Sequence, residues 1–78
     1  MKTISDNIDK LLGQRKWTYR TFAYQLNVPY MRAYDLIRGY MEDDVPESMY
    51  QRVADVFEIG LAELYKGTKR DGHEDTKT

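Results

Sequence analysis

An all-α fold is predicted by three features of the sequence. Apolar residues recur at helical spacing in several separate stretches. The breaks between those stretches carry helix-stop and helix-start residues. No pair of alternating apolar and polar runs offers a convincing strand pair. With 78 residues the chain is one small domain at most.

The first helix is expected over Thr3 to Lys16. Ile4, Ile8, Leu11 and Leu12 fall on one stripe at i, i+4, i+7 and i+8. Thr3 is suited to cap its start, with Asp6 three residues on, and Gly13 weakens its last turn. Thr18 opens a second helix whose inner face is Phe22, Ala23 and Leu26. Asn27 then stands where a helix commonly ends in a left-handed residue, which Asn tolerates better than most. Val28 precedes Pro29, and proline drives the residue before it out of the helical region. The φ of Pro29 suits the first turn of a new helix, so the third is expected over Pro29 to Arg38. Its inward residues are Ala33, Leu36 and Ile37, and Gly39 is its stop. The stretch YMEDDVP, residues 40–46, reads as a loop. A fourth helix begins at Pro46 or Glu47, with Met49, Tyr50, Val53, Ala54 and Phe57 inward, and Gly60 is expected to break it. Leu61 to Tyr65 forms a short fifth helix. The domain is thus expected over residues 1–66. Residues 67–78 hold no apolar side chain and are expected to be a disordered polar tail.

Composition narrows the function classes. A domain of this size buries only about 60% of its unfolded surface, so helix packing or a partner chain must supply its stability. There is no cysteine to form a disulfide or a thiolate metal site, which also agrees with a reducing cytoplasm. The charged N-terminal stretch MKTISDNIDK is not a signal peptide, and no run reaches the roughly 18 apolar residues of a membrane span. A cytoplasmic location is expected. The net charge of −1 conceals a strong polarity. Between Lys10 and Tyr40 the basic residues Lys10, Arg15, Lys16, Arg20, Arg32 and Arg38 face a single acid, Asp35, for a net +5. Between Met41 and Leu64 seven acids face Arg52 alone, for a net −6.

The basic half holds the most specific pattern. Counted from Tyr19, positions 4, 8, 10, 15 and 18 are Phe22, Leu26, Val28, Ala33 and Leu36, all apolar. Position 5 is the small Ala23 and position 9 is Asn27. Over residues 18–39 this resembles the helix-turn-helix of the Cro/repressor-like, or Xre-type, family of phage and bacterial transcription regulators. That family reads roughly S-Q-x-x-L-A-x-x-L-G-V-S followed by I-x-x-I/W-E-x-G. Its later segment A-x-x-L-x-V-x-x-x-x-L is matched by Ala54, Phe57, Ile59 and Leu64, and Trp17 takes the apolar position before the second helix. The resemblance spans about Ile4 to Tyr65 and implies a compact five-helix domain whose third helix enters the major groove of an operator. Three departures stand out. Tyr19 replaces the family Gln that opens the second helix, Ile37 replaces a Glu, and the loop after the third helix is long and holds Glu42, Asp43 and Asp44. Acids near phosphates repel within a Debye length of roughly 8 Å at physiological salt.

By this resemblance Tyr30, Met31, Arg32, Tyr34 and Asp35 meet base edges or a partner. Arg32 is the best reader, because a guanidinium can bond O6 and N7 of a guanine together. Tyr30 and Tyr34 can meet thymine methyls, and Met31 offers apolar contact. Lys16, Thr18, Tyr19, Arg20, Arg38 and Tyr40 are the phosphate candidates. A homodimer on a two-fold operator would pair through Phe57, Ile59, Leu61, Leu64 and Tyr65, since linking two half-sites raises effective concentration. Tyr24, Tyr50 and Tyr65 read as packing or dimer surface. An alternative partner is a repressor protein rather than double-stranded DNA, because Tyr, Met and Arg are also enriched at protein interfaces. Nothing points to an enzyme, a cofactor or a metal site. His73 is the only histidine, and Asp43 and Asp44 lie on a loop with no burial to raise a carboxylate pKa.

Overall fold

In the computed structural model, which describes residues 2–71, five α-helices and one 3-10 turn follow one another with no strand among the described residues. Helix α1 spans Ile4–Arg15 and opens with a complete capping box. Thr3 Oγ1 accepts from the Asp6 amide at 3.1 Å, and the Asp6 carboxylate accepts from the Thr3 amide at 3.1 Å. Lys16 closes the helix in the left-handed region at φ 59°. Helix α2 spans Tyr19–Leu26; Thr18 caps it by accepting from the Thr21 amide at 3.1 Å. Asn27 ends it at φ 62°, as its side chain allows.

Helix α3 spans Tyr30–Arg38. Pro29 stands just outside it as the N-cap, at ψ 152°, rather than as its first residue. The cause is the sharpness of the turn: the Val28 amide reaches back to the Ala23 carbonyl at 3.1 Å, so the chain must extend through Pro29 before it can coil again. Gly39 terminates α3 at φ 75°. A Cβ at Gly39 would stand 2.6 Å from the Ser5 hydroxyl oxygen, so both the backbone and the space call for glycine.

The expected loop contains a 3-10 turn, Glu42–Asp44. Helix α4 spans Glu47–Val56 and α5 spans Leu61–Tyr65. Gly60 is not what breaks α4: the left-handed residue at its end is Glu58, at φ 60°, whereas Gly60 sits at an ordinary φ of −79° as the N-cap of α5.

The core draws on every helix. Ile4, Ile8, Phe22, Ala33, Val53, Ala54, Phe57 and Leu64 are all fully buried. The Phe57 ring stacks on Trp17 at 5.0 Å and on Phe22 at 5.6 Å, joining the end of α4 to α2 and to the α1–α2 turn. Polar side chains stitch the helix ends. Asn7 donates to the Leu64 and Lys66 carbonyls at 2.8 and 2.9 Å and satisfies the end of α5. Arg52 donates to the Leu26 carbonyl at the end of α2. Arg15 donates to the Phe57 carbonyl and lies over the Trp17 and Phe57 rings.

Packing continues past the expected domain limit at residue 66. Thr68 is buried, and its hydroxyl donates to the Tyr65 carbonyl at 2.6 Å. Arg70 stacks over Tyr50 at 5.0 Å and over Tyr65 at 5.8 Å, and donates to the Val45 and Glu42 carbonyls at 3.2 and 3.4 Å. A segment without apolar residues can therefore dock, because aromatic faces and carbonyls receive its arginine and threonine. The rest of the expected tail, residues 72–78, lies outside the described residues, as does His73. The residues expected to pair a homodimer are Phe57, Ile59, Leu61, Leu64 and Tyr65. Phe57, Leu64 and Tyr65 are buried in their own domain, which leaves only Ile59 and Leu61 of that set partly exposed. Of the three tyrosines assigned to packing, Tyr50 and Tyr65 are buried, with rings edge to face at 6.0 Å, while Tyr24 is 82% exposed.

Candidate functional site

The α2–turn–α3 pair directs one side of α3 outward. Ala33, Leu36 and Ile37 take the inner side at i, i+3 and i+4, so the residues between them must point away from the core. At the start of α3, Tyr30, Met31 and Arg32 are all exposed. Met31 is 62% exposed. Tyr34 and Asp35 are half-buried.

Four of the candidate tyrosines form one aromatic group. The Tyr34 ring is its centre, 5.8 Å from Tyr19, 6.4 Å from Tyr30 and 6.0 Å from Tyr40. Two arginines frame it: Arg20 lies over Tyr30 at 5.5 Å and Arg38 over Tyr34 at 5.8 Å. The group therefore spans α2, both ends of α3 and the first residue of the loop.

Its electrostatics are internally coupled. The Tyr40 side chain beside it raises the Tyr34 phenol above its ordinary pKa, a rise that the nearby Arg38 charge partly offsets. The Tyr19 side chain beside Arg38, and then Tyr40 and Tyr34, raise the guanidinium above its ordinary pKa.

The remaining phosphate candidates differ in what they have to offer. Lys16 is exposed at the end of α1. Thr18 already uses its hydroxyl as the α2 cap, 3.0 Å from the Thr21 hydroxyl. Arg15, part of the basic half, is drawn onto the Phe57 carbonyl and away from this face.

The acidic loop is not a uniform charged rim. Glu42 points back to α1, where its two carboxylate oxygens accept from the Ile4 and Ser5 amides at 3.1 and 3.3 Å. These are the orphan amides of a helix start, and a carboxylate there also meets the positive end of the helix dipole. Asp43 pairs with Lys69, which holds its carboxyl below the ordinary carboxylate pKa. Two of the three loop acids thus have cationic or amide partners inside the domain. Sequence spacing gives no hint of either contact, because the partners lie 38 and 26 residues away.

Among the described residues no group of three or more His, Cys, Asp and Glu side chains is placed to hold a metal ion. No helix among them is long and apolar enough to cross a membrane. The fold and this face together define an all-α domain that presents an exposed, arginine-framed tyrosine surface on its third helix. No protein-family model, curated protein or solved structure matches the chain.

Proposed function

We propose that this protein is a small sequence-specific DNA-binding transcriptional regulator that places α3 in the major groove. The observation that carries the reading is the start of α3, where Tyr30, Met31 and Arg32 are exposed side by side on the helix that follows the tight Asn27–Pro29 turn. Arg20 over Tyr30, Arg38 at the far end of α3 and the exposed Lys16 serve as phosphate contacts, and Arg32 reads a guanine edge. The partners found by Glu42 and Asp43 support the reading further, because they blunt the repulsion that an acidic loop would exert on a phosphate backbone.

A second reading keeps the fold and replaces DNA with a protein, such as the basic surface of a repressor. It is favoured by a specific observation: Tyr30 and Tyr40, both exposed, pack their rings on Tyr34 and leave a contiguous aromatic surface, and Tyr is enriched at protein interfaces.

Titration against duplexes from a randomised pool tests the first reading. Binding at about 50 mM salt that weakens steeply as salt rises is expected, because released counterions drive phosphate contacts. Arg32→Ala is expected to lose about 1–3 kcal/mol of discrimination at one base position. Absence of binding to any duplex at low salt refutes the regulator reading. Recovery of a complex with a repressor that Tyr30→Ala disrupts establishes the second.

A further inference from the structure

A cleft of about 320 Å³ opens beside the segment that follows α5, lined by Glu47, Tyr65, Lys69 and Arg70. None of the α3 tyrosines lines it, so it stands apart from the aromatic face. Its volume is at the small end of the roughly 300–1,000 Å³ of ligand-binding clefts.

One wall of this cleft holds an unmet polar group. Tyr65 is 5% exposed, and its hydroxyl is buried with no hydrogen-bond partner among the described residues. Such a group has lost its water and gained nothing in exchange, which is why buried hydroxyls are nearly always paired. The rest of Tyr65 is held firmly. Its ring meets Tyr50 edge to face, and its carbonyl accepts from the Thr68 hydroxyl at 2.6 Å. The hydroxyl is therefore fixed in place without an acceptor.

Arg70 brings further donors to the same cleft. Its Nη2 donates to the Glu42 and Val45 carbonyls, and its guanidinium lies over the Tyr50 and Tyr65 rings. Those contacts orient the side chain, yet they engage only one of its three nitrogens. Nε and Nη1 carry three N–H donors with no partner among the described residues. Lys69 adds a second positive charge at the rim, where it pairs with Asp43. Phenol, guanidinium and ammonium all donate, and their common complement is an oxyanion. Glu47 opposes them, but it is exposed to water and is the first residue of α4, where the positive end of the helix dipole offsets its charge.

We propose that this cleft binds a small organic molecule bearing a phosphate or carboxylate, whose oxyanion accepts from the Tyr65 hydroxyl and from the unused N–H groups of Arg70. The hydroxyl is closed to bulk water, so the oxyanion reaches it when a rim side chain moves aside. Lys69, long and exposed, is the side chain able to do so, and its exposed pair with Asp43 costs little to break. The site is independent of the DNA-binding reading.

NMR titration of the full chain at constant ionic strength tests the proposal, with sodium phosphate in one arm, sodium acetate in a second and sodium chloride as the reference. Saturable shifts are expected at Glu47, Tyr65, Lys69 and Arg70 with an oxyanion and not with chloride. The tighter arm assigns the group, phosphate for a phosphoester and acetate for a carboxylic acid. Tyr65→Phe keeps the ring and removes the unmet O–H. In chloride its melting temperature should equal or exceed that of wild type, while its oxyanion affinity falls several-fold. Arg70→Lys keeps the charge but loses the planar fork, and should also bind several-fold more weakly. Glu47→Gln should bind more tightly, because it removes the opposing charge. The proposal is overturned if neither oxyanion shifts these residues beyond chloride, or if Tyr65→Phe binds as wild type does. A marked fall in the melting temperature of Tyr65→Phe in chloride also overturns it, since the hydroxyl would then have a partner inside the domain. Weaker binding by Glu47→Gln overturns the choice of an anion.

Discussion

Replacing Glu42 with alanine removes a contact between the α3–α4 loop and the start of α1. The wild-type carboxylate accepts from the Ile4 and Ser5 amides at 3.1 and 3.3 Å, and both of those residues are buried. Hydrogen bonds to a charged group contribute about 1.5–3 kcal/mol each when well shielded. Glu42 is only half-buried and its bonds are long, so the lower end applies. A carboxylate at a helix N-terminus adds about 0.3–1 kcal/mol of dipole interaction, part of which is already counted in the bonds. The Thr3 capping box survives the substitution and keeps the α1 start ordered. A loss of about 2 kcal/mol is expected for Glu42→Ala, against a total near 5–10 kcal/mol for a domain of this size. At about 4–8 °C per kcal/mol, the melting temperature should fall by about 8–16 °C. Glu42→Gln keeps acceptor oxygen but loses charge and should cost about half as much. Asp44→Ala, at an exposed neighbour in the same acidic loop, should stay within about 0.5 kcal/mol. Thermal and urea unfolding of the four proteins measure the set. A Glu42→Ala protein as stable as Asp44→Ala would refute the reasoning, because the two acids would then be equivalent solvated charges.

Other outcomes follow from the same geometry. Gly13→Ala should stabilise the protein by about 0.5–1 kcal/mol, since its Cβ meets nothing within 4 Å inside α1, while Gly39→Ala should cost about 1–3 kcal/mol through its φ of 75° and the Ser5 side chain; paired urea titrations compare them. Arg70→Ala should lower stability by about 1–2 kcal/mol, because it removes the stack on Tyr50 and two carbonyl partners; a melting temperature equal to wild type would show that Arg70 contributes nothing. Burial pushes the Tyr50 phenol far above its ordinary value near 10, so the folded state resists ionisation that the unfolded chain accepts. Stability is therefore full below about pH 10 and falls as pH rises beyond it, and Tyr50→Phe should flatten that fall in melts taken from pH 9 to 11.

What the sequence by itself determined was the set of features that depend on near neighbours. The helix limits at Thr3, Thr18, Asn27 and Gly39 were legible because caps and left-handed stops act within one turn. The inward residues Phe22, Ala23, Leu26, Ala33 and Leu36 were legible because helical periodicity alone selects a face. The outward position of Tyr30, Met31 and Arg32 followed from the same periodicity. Only the tertiary structure decided what each polar residue does. Glu42 reads as one of three loop acids until α1 is brought within 3.1 Å of it. Arg15 and Arg38 are equal members of a basic run until one is drawn onto the Phe57 carbonyl and the other onto the Tyr34 ring. Residues 67–71 look like unstructured polar chain until Tyr50 and Tyr65 offer ring faces to Arg70. The reason is common to all three. Backbone conformation and amphipathic pattern are short-range properties, whereas the energy of a charged side chain depends on which amides, rings and carbonyls the folded chain carries to it from tens of residues away.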